Sequence, residues 1–461
     1  MRCNLSKLVR WTTVTVVFIV CINVFVFIHS PRAGTYMAPS GPLAIPRYEK
    51  GKSSSFNSSI TCPGLSLSKA DVRVGFQHVP GTPKILVYSA FYLENQVKVI
   101  GLVELNVGIR LTCQLWYDDV TGDPLVTVDA KVSYIPEDHS RRLSAAIIFC
   151  AVPENLHRMA PHSVSLVRER CDTPENILRV AGPAPARYEF TVCVTPLNFR
   201  YSRAYELVEM VEMNKLLGAQ RVVFYNHSTG ANVDKVLDYY IQRGDIEVLP
   251  WHLPLKTETW PPSGDPDVHY FAQLASLNDC LYRYRNQSRY IVYTDIDEFI
   301  VPRNRDNWHE LVQDFIQKHP AMCSLTAMCT FYRKEWPKIA AGFESPAKQF
   351  KSVVLTHTLR EKTILPYGSR SKYIVAPHQV GVVGVHQVWS CLGEEVRLSQ
   401  DDALLHHYRT WEAPLDPQPR VEDETAVKKF GPALAQRLEA VWKELPNIPL
   451  DVNISSYGQV S

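Results

Sequence analysis

The sequence contains no G-x-x-x-x-G-K-[ST] phosphate loop, no G-x-G-x-x-G fingerprint and no G-x-S-x-G nucleophile elbow. ATPase, dinucleotide-dehydrogenase and elbow-type hydrolase readings therefore lack their defining segment. It also lacks a net charge of either sign. Lys plus Arg number 49 and Asp plus Glu 47, leaving +2 over 461 residues, so no global field draws the chain to nucleic acid. There is no internal repeat. None of the 11 cysteines forms a C-x-x-C pair, which removes the zinc-ribbon class. What remains is 46% hydrophobic and 21% charged, an ordinary globular composition with core material for two or three domains.

Residues 11–28 carry no charge and are mostly β-branched or aromatic. They have the length, at its lower end, of a bilayer span. Arg2, Lys7 and Arg10 precede the run and Arg32 is the first charge after it, a bias that keeps the N-terminus cytosolic. A cleaved signal peptide would have a shorter apolar region and a small-residue cleavage box. Phe25, Phe27 and Ile28 run straight to His29 without one. The reading is a membrane anchor of type II topology: tail 1–10, transmembrane signal anchor 11–28, and a Pro- and Ser-rich stem 29–60.

Nine cysteines follow the anchor, and disulfides in an oxidising lumen account for them. Nine is odd, so one stays free or pairs between chains, as in a homodimer. Asn57, Asn226, Asn286 and Asn453 each open an N-x-Ser sequon, consistent with glycosylation in the lumen.

Beyond the stem the pattern is strand-like. Residues 85–89, 97–105, 110–117, 125–134 and 143–150 are apolar or β-branched runs separated by turn residues, which predicts a β-rich, sandwich-like domain over 61–187. Trp116 and Tyr117 could stack on sugar there, but a core role fits them better. After Tyr188 the period changes. Strands at 190–195, 221–225, 246–249 and 290–294 alternate with helical patterns. Ser202 is placed to cap the first helix and Gly218 and Gly244 to close the first two. This predicts an α/β domain over 188–445 with a parallel sheet covered on both faces. Further strands are expected at 372–375 and 385–388. Leu434, Leu438, Val441, Trp442 and Leu445 form a helical stripe that packs on this domain, ahead of a tail at 446–461.

The fourth strand runs into Asp295-Ile296-Asp297-Glu298. Two carboxylates two residues apart in extended chain point to one side, and ligands of open α/β sheets bind beyond the carboxyl ends of strands. Hard oxygen ligands so placed suit Mn²⁺ or Mg²⁺ on a nucleotide diphosphate. Asp265-Pro266-Asp267 repeats the spacing in a Pro- and Gly-rich loop that follows no buried strand, and is set aside. Asn307 with Glu310 supplies a capping box for the next helix, which leaves Asp295 and Asp297 without a capping duty. The pair His406-His407 offers an imidazole as third ligand. In a strand the two face opposite ways, and the sequence does not choose between them. Lys372 or Arg370 could meet diphosphate oxygens.

The ordered set Cys193-Val194-Thr195-Pro196-Leu197, Leu216-Leu217-Gly218-Ala219 with Val223-Phe224-Tyr225-Asn226, Asn278-Asp279-Cys280, Tyr293-x-Asp295-Ile296-Asp297-Glu298-Phe299-Ile300-x-Pro302, Lys372-Tyr373-Ile374-x-x-Pro377 and His407-Tyr408 resembles glycosyltransferase family 92. The resemblance covers about 188–445 and is nearest to the animal β-1,4-galactosyltransferases of that family. Plant relatives make β-1,4-galactan and carry an N-terminal carbohydrate-binding β-domain; sugar binding is not carried across to 61–187. The resemblance implies a GT-A fold, UDP-galactose as donor, Mn²⁺ and inversion at the anomeric carbon. By it, Asp295, Asp297 and His407 hold the metal, while Thr195, Asn226, Asp279, Asp295 and Lys372 meet the nucleotide sugar. Inversion needs a base for the acceptor hydroxyl. Glu361, Glu394, Glu395, Asp401 and Asp402 lie between the Asp-x-Asp and the histidine, and Glu361, just before the Lys372 strand, is taken as that base. The expected protein is a Golgi enzyme that passes galactose to a terminal β-galactoside or fucose of a glycoprotein glycan. A different UDP-sugar donor, or a membrane-anchored lectin with an inactive transferase domain, is the alternative. A two-metal hydrolase would need more strand-end carboxylates than the sequence supplies.

Overall fold

The computed structural model describes residues 62, 65, 72–82, 84–106, 108, 110–118, 125–259, 262–410 and 418–452. The expected tail, anchor and stem, Asn57, Asn453 and most of 446–461 lie outside the described residues. Among the described residues no helix is long and apolar enough to cross a membrane.

The N-terminal part is all β: β1 (Gln77–His78), β2 (Ile85–Leu93), β3 (Gln96–Glu104), β4 (Thr112–Trp116), β5 (Leu125–Tyr134), β6 (Leu143–Ala151), β7 (Ser163–Val167) and β8 (Leu178–Ala181). Their hydrogen-bonded order is β1-β2-β3-β6-β5-β4-β7-β8, and β8 also pairs in parallel with β2. The sheet therefore closes on itself, which corrects the expectation of a two-sheet sandwich. Two features bend it round. A bulge interrupts β2 between Val87 and Ser89, and β5 gives its first half to β4 and its second to β6. Closure leaves few exposed strand edges. The Cys113–Cys150 disulfide links β4 to β6. Trp116 is buried and donates Nε1–H to Ser165 Oγ at 3.3 Å, so it is a core residue.

The second part begins with β9 (Tyr188–Val194), α1 (Ala204–Leu217), β10 (Arg221–Asn226), α2 (Ala231–Gln242), β11 (Ile246–Pro250), α3 (Gln273–Tyr284) and β12 (Ser288–Thr294). Strands β11-β10-β9-β12 run parallel in that spatial order. The chain thus winds outward from β9 to β11 and then returns to start again on β9's other side, which makes the gap between β9 and β12 a topological switch point. The sheet continues through β13 (Glu298–Pro302), β14 (Met322–Arg333), β16 (Lys372–Val375), β19 (Glu394–Arg397) and β20 (Ala403–Arg409), in the order β12-β16-β14-β20-β13 with β19 on β14. Helices α4 (Trp308–Lys318), α5 (Glu344–Gln349), α6 (Val353–Thr356) and α7 (Thr425–Glu444), a short pair β15 (Leu359–Glu361) with β21 (Arg420–Glu422), and a hairpin of β17 (Val380–Val383) with β18 (Val388–Cys391) complete the chain.

Two local expectations change. Ser202 does not cap α1: its hydroxyl donates to Val452 O at 2.6 Å, and Arg203 holds the cap position without a side-chain bond. Gly218, with φ 123°, does end that helix, a backbone angle that strains any other residue. The segment 385–387 is the hairpin turn and not a strand, because Gly384 N–H bonds to Gln387 O at 2.9 Å. The α7 stripe packs as expected: Leu434, Leu438 and Val441 are buried in the core that also holds α1 and the sheet. The β-rich part rests on α3 through Leu86, Phe91, Ile100, Leu102 and Ile147, in one cluster with Leu274, Leu277 and Leu281. Both faces of β2 and β3 are therefore apolar, and neither shows a period of two.

Candidate active site

Thr294 is paired with Val194 across β12 and β9, so Thr195 and Asp295 leave the sheet side by side at the switch point. A tight turn follows, in which Glu298 N–H bonds to Asp295 O at 3.2 Å. It sends the chain into β13, antiparallel to β20, with Glu298 opposite His407. Tyr408 N–H also bonds to Asp297 O, at 2.9 Å. The topology thus carries a histidine over a hundred residues downstream back to the Asp-x-Asp turn.

The side chains meet there. His407 Nε2 lies 3.6 Å from Asp297 Oδ2, and its Nδ1 lies 3.1 Å from Glu298 Oε1. Lys372 Nζ sits 3.0 Å from Asp295 Oδ2 and 3.4 Å from Glu298 Oε2. Glu298 and Lys372 are almost wholly buried, whereas Asp295 and Asp297 keep 28% and 26% of their side chains exposed. The two aspartates are thus the face that a ligand can reach. His406 faces the other way, stacked on Tyr332 with centroids 4.6 Å apart, and β20 thereby makes His407 the histidine of the site.

Electrostatics follow from this packing. Burial would raise every carboxyl here. For Asp295 the Lys372 ammonium outweighs burial and holds it below the usual carboxylate range. For Asp297 the His407 ring does the same. In Glu298 burial prevails, helped by Asp295, and its carboxyl is raised. Burial would lower His407, but Glu298 and Asp297 raise it well above an ordinary imidazole.

Do these groups fit a divalent cation? Asp295 Oδ1 is buried and, among the described residues, has no hydrogen-bond donor, and Asp297 and His407 converge. Among the described residues, however, no group of three or more His, Cys, Asp and Glu side chains is arranged to hold a metal ion. Asp295 is turned to Lys372 instead. The donor chemistry therefore does not suit a closed structural cage. It suits a hard cation held by few protein ligands, with its other positions left to phosphate oxygens.

The remaining expected site residues are placed as follows. Thr195 is buried at the β9 end. Asn226, half-buried at the β10 end, donates Nδ2–H to Thr229 Oγ1 at 2.9 Å. Asp279 is withdrawn from the site. It is fully buried on α3 and accepts from Ser89 Oγ, from Tyr225 OH at 2.6 Å, and from Arg283 Nε and Nη2 at 3.0 and 3.1 Å, which occupies both its oxygens. Glu361 is buried on β15 with its carboxylate on Arg333 Nε. Glu394 pairs with His319, and Asp402 with Arg305 and Ser399. The spare Asp265-x-Asp267 ties its loop to Arg141, Arg142 and Lys84 of the β-rich part. Asn286 is half-buried just after α3.

Sequence reasoning passed over Glu298 as a site residue, although it stands directly after the Asp-x-Asp. It also passed over Arg203 and Lys334. Both act electrostatically on Asp297, and both pair with the buried Glu206. No spacing in the sequence marks them.

A family model described as glycosyltransferase family 92 matches residues 188–446, more than half of the chain. The chain belongs to glycosyltransferase family 92. Its reaction class is glycosyl transfer. Among relatives, it is 23% identical over 330 residues to beta-1,4-galactosyltransferase galt-1 of Caenorhabditis elegans, covering 68% of this chain and 71% of that one. It is 27% identical to galactan beta-1,4-galactosyltransferase GALS3 of Arabidopsis thaliana, over 31% of this chain and 27% of that one. Among solved structures, S. aureus TarS 1-349 with UDP-GlcNAc aligns at a TM-score of 0.25 and 15% identity, over 58% of this chain and 69% of that one.

Proposed function

We propose that this family 92 member is an inverting galactosyltransferase of GT-A type that moves galactose from UDP-galactose to a hydroxyl of a glycoprotein glycan, forming a β-1,4 linkage. The observation that carries the proposal is the convergence of Asp297 and His407 beside Asp295 at the switch point of the sheet. The donor and linkage are supported by relatives that are named β-1,4-galactosyltransferases in both an animal and a plant. Asp297 and His407, with Asp295 beside them, would hold Mn²⁺ or another divalent cation. When bound, that cation offsets the charge gathering on the departing diphosphate. Lys372 balances the buried carboxylates and keeps Asp295 ionised. Arg203 and Lys334, on the Asp297 side, add positive potential where the diphosphate would lie. Thr195 and Asn226, at adjacent strand ends, would line the nucleoside side. In this reading the acceptor approaches from the open face of Asp295 and Asp297, held so that its hydroxyl attacks in line. Residues 11–28 would anchor the chain in the Golgi membrane with the folded part in the lumen, as a single chain or as a homodimer.

The test is a donor panel on the purified protein with a β-galactoside acceptor, with and without EDTA. Turnover with UDP-galactose that EDTA abolishes is the expected result. Preferential turnover with another UDP-sugar would reassign the donor. UDP-galactose turnover that is undiminished by EDTA would refute the cation.

A further inference from the structure

Glu298 lies beneath the site with 1% of its side chain exposed, and its carboxylate meets Asp295, Lys372 and His407. Its Oε2 accepts Asp295 N–H at 2.9 Å and faces Lys372 Nζ at 3.4 Å. Its Oε1 faces His407 Nδ1 at 3.1 Å, a charge contact not aligned as a hydrogen bond, and among the described residues neither of these two buried atoms has a hydrogen-bond partner. The opposite ring nitrogen, Nε2, is the one directed at Asp297. An imidazole can give only one nitrogen's lone pair to a cation, and the group on its other nitrogen decides which. The cross-strand register fixes the pairing, since Glu298 and His407 are direct partners in β13 and β20.

We propose that Glu298 is a positioning residue: set against Nδ1 of His407, it keeps the ring proton on that nitrogen when a cation takes Nε2, while it pins the Asp295 backbone through the same carboxylate. This rests on the reading of Asp297 and His407 as the cation's protein ligands. With its side chain buried beneath the two aspartates, Glu298 acts through His407 and Asp295.

The test measures Mn²⁺ binding itself, by electron paramagnetic resonance of free Mn²⁺, on wild type, Glu298→Gln and Asp297→Ala, with thermal unfolding of each metal-free protein alongside. Gln keeps the volume but can present an amide N–H to Nδ1, which moves the ring proton to Nε2. The expected result is a loss of ~10–100-fold in Mn²⁺ affinity for Glu298→Gln, with the metal-free unfolding midpoint close to wild type. Should Glu298→Gln not fold, Glu298→Asp takes its place; it keeps the charge but withdraws the carboxylate by one methylene, and the expected loss has the same sign. Wild-type Mn²⁺ affinity in the variant would overturn the positioning role. A wild type that takes up no Mn²⁺ would overturn the cation reading as well, so the two failures are told apart.

Discussion

Asp279 shows how one side chain can serve structure while sitting in a motif that resembles a site. Its carboxylate gathers Ser89, Tyr225 and Arg283, and so joins the β-rich part to α3 beneath the sheet. Removing one partner of a buried charge pair leaves the other uncompensated. Asp279→Asn is therefore expected to lower unfolding free energy by roughly 3 kcal/mol while leaving the KM for the proposed donor, UDP-galactose, unchanged in the folded protein. A raised KM with unaltered stability would return Asp279 to the nucleotide. The contrast with Asp295 and Asp297 lies in exposure: Asp279 keeps none of its side chain open, and they keep about a quarter. Exposure is a tertiary property, so no spacing rule could have separated the three in the sequence. Glu361 was opaque for a similar reason, because its partner Arg333 stands on another strand.

At the scale of elements, much was readable in advance. The runs at 85–89, 97–105, 125–134 and 143–150 fall on β2, β3, β5 and β6, and the change of period after Tyr188 marks where parallel strands begin. Gly218 and Gly244 end the first two helices because both adopt positive φ. The Asp-x-Asp lies at a strand end, as its apolar approach implied. What the chain did not disclose was pairing. A sandwich and a closed sheet draw on the same strand pattern, and only the contact of β8 with β2 separates them. The choice between His406 and His407 was likewise set by register, since β20 is flanked by β14 on one side and β13 on the other. The odd cysteine was legible as a number: Cys329 is free and buried among the described residues. The four disulfide partnerships were not.

At the scale of the molecule, the β-rich part meets the catalytic part along a polar seam as well as an apolar one. Glu137 accepts from Trp389 Nε1 at 2.7 Å and from Val385 N–H at 3.2 Å. Beside it the His139 and His269 rings stack with centroids 3.6 Å apart. Burial first, then His139 and Arg141, pushes His269 down to about 4. In the unfolded chain it returns to about 6.5. The unfolded state therefore takes up the proton first as pH falls. The seam's contribution is complete above pH 6.5 and is lost as pH drops from 6.5 toward 4. Denaturant unfolding at pH 7 and pH 5 should show a loss of roughly 2 kcal/mol, and His269→Phe, which retains the stacking ring, should remove that part of the loss. An unchanged pH dependence in the variant would contradict this account of the seam.

The central claim is that Asp297 and His407 grip a cation that the diphosphate shares. Calorimetric titration of UDP into wild type and Asp297→Ala, each with Mn²⁺ and with EDTA, tests it most directly. The expected result is UDP binding at least roughly tenfold tighter with Mn²⁺ than with EDTA in wild type, or ~1.4 kcal/mol, and no such difference in Asp297→Ala. An Asp297→Ala protein whose UDP binding gains as much from Mn²⁺ as wild type's would contradict it.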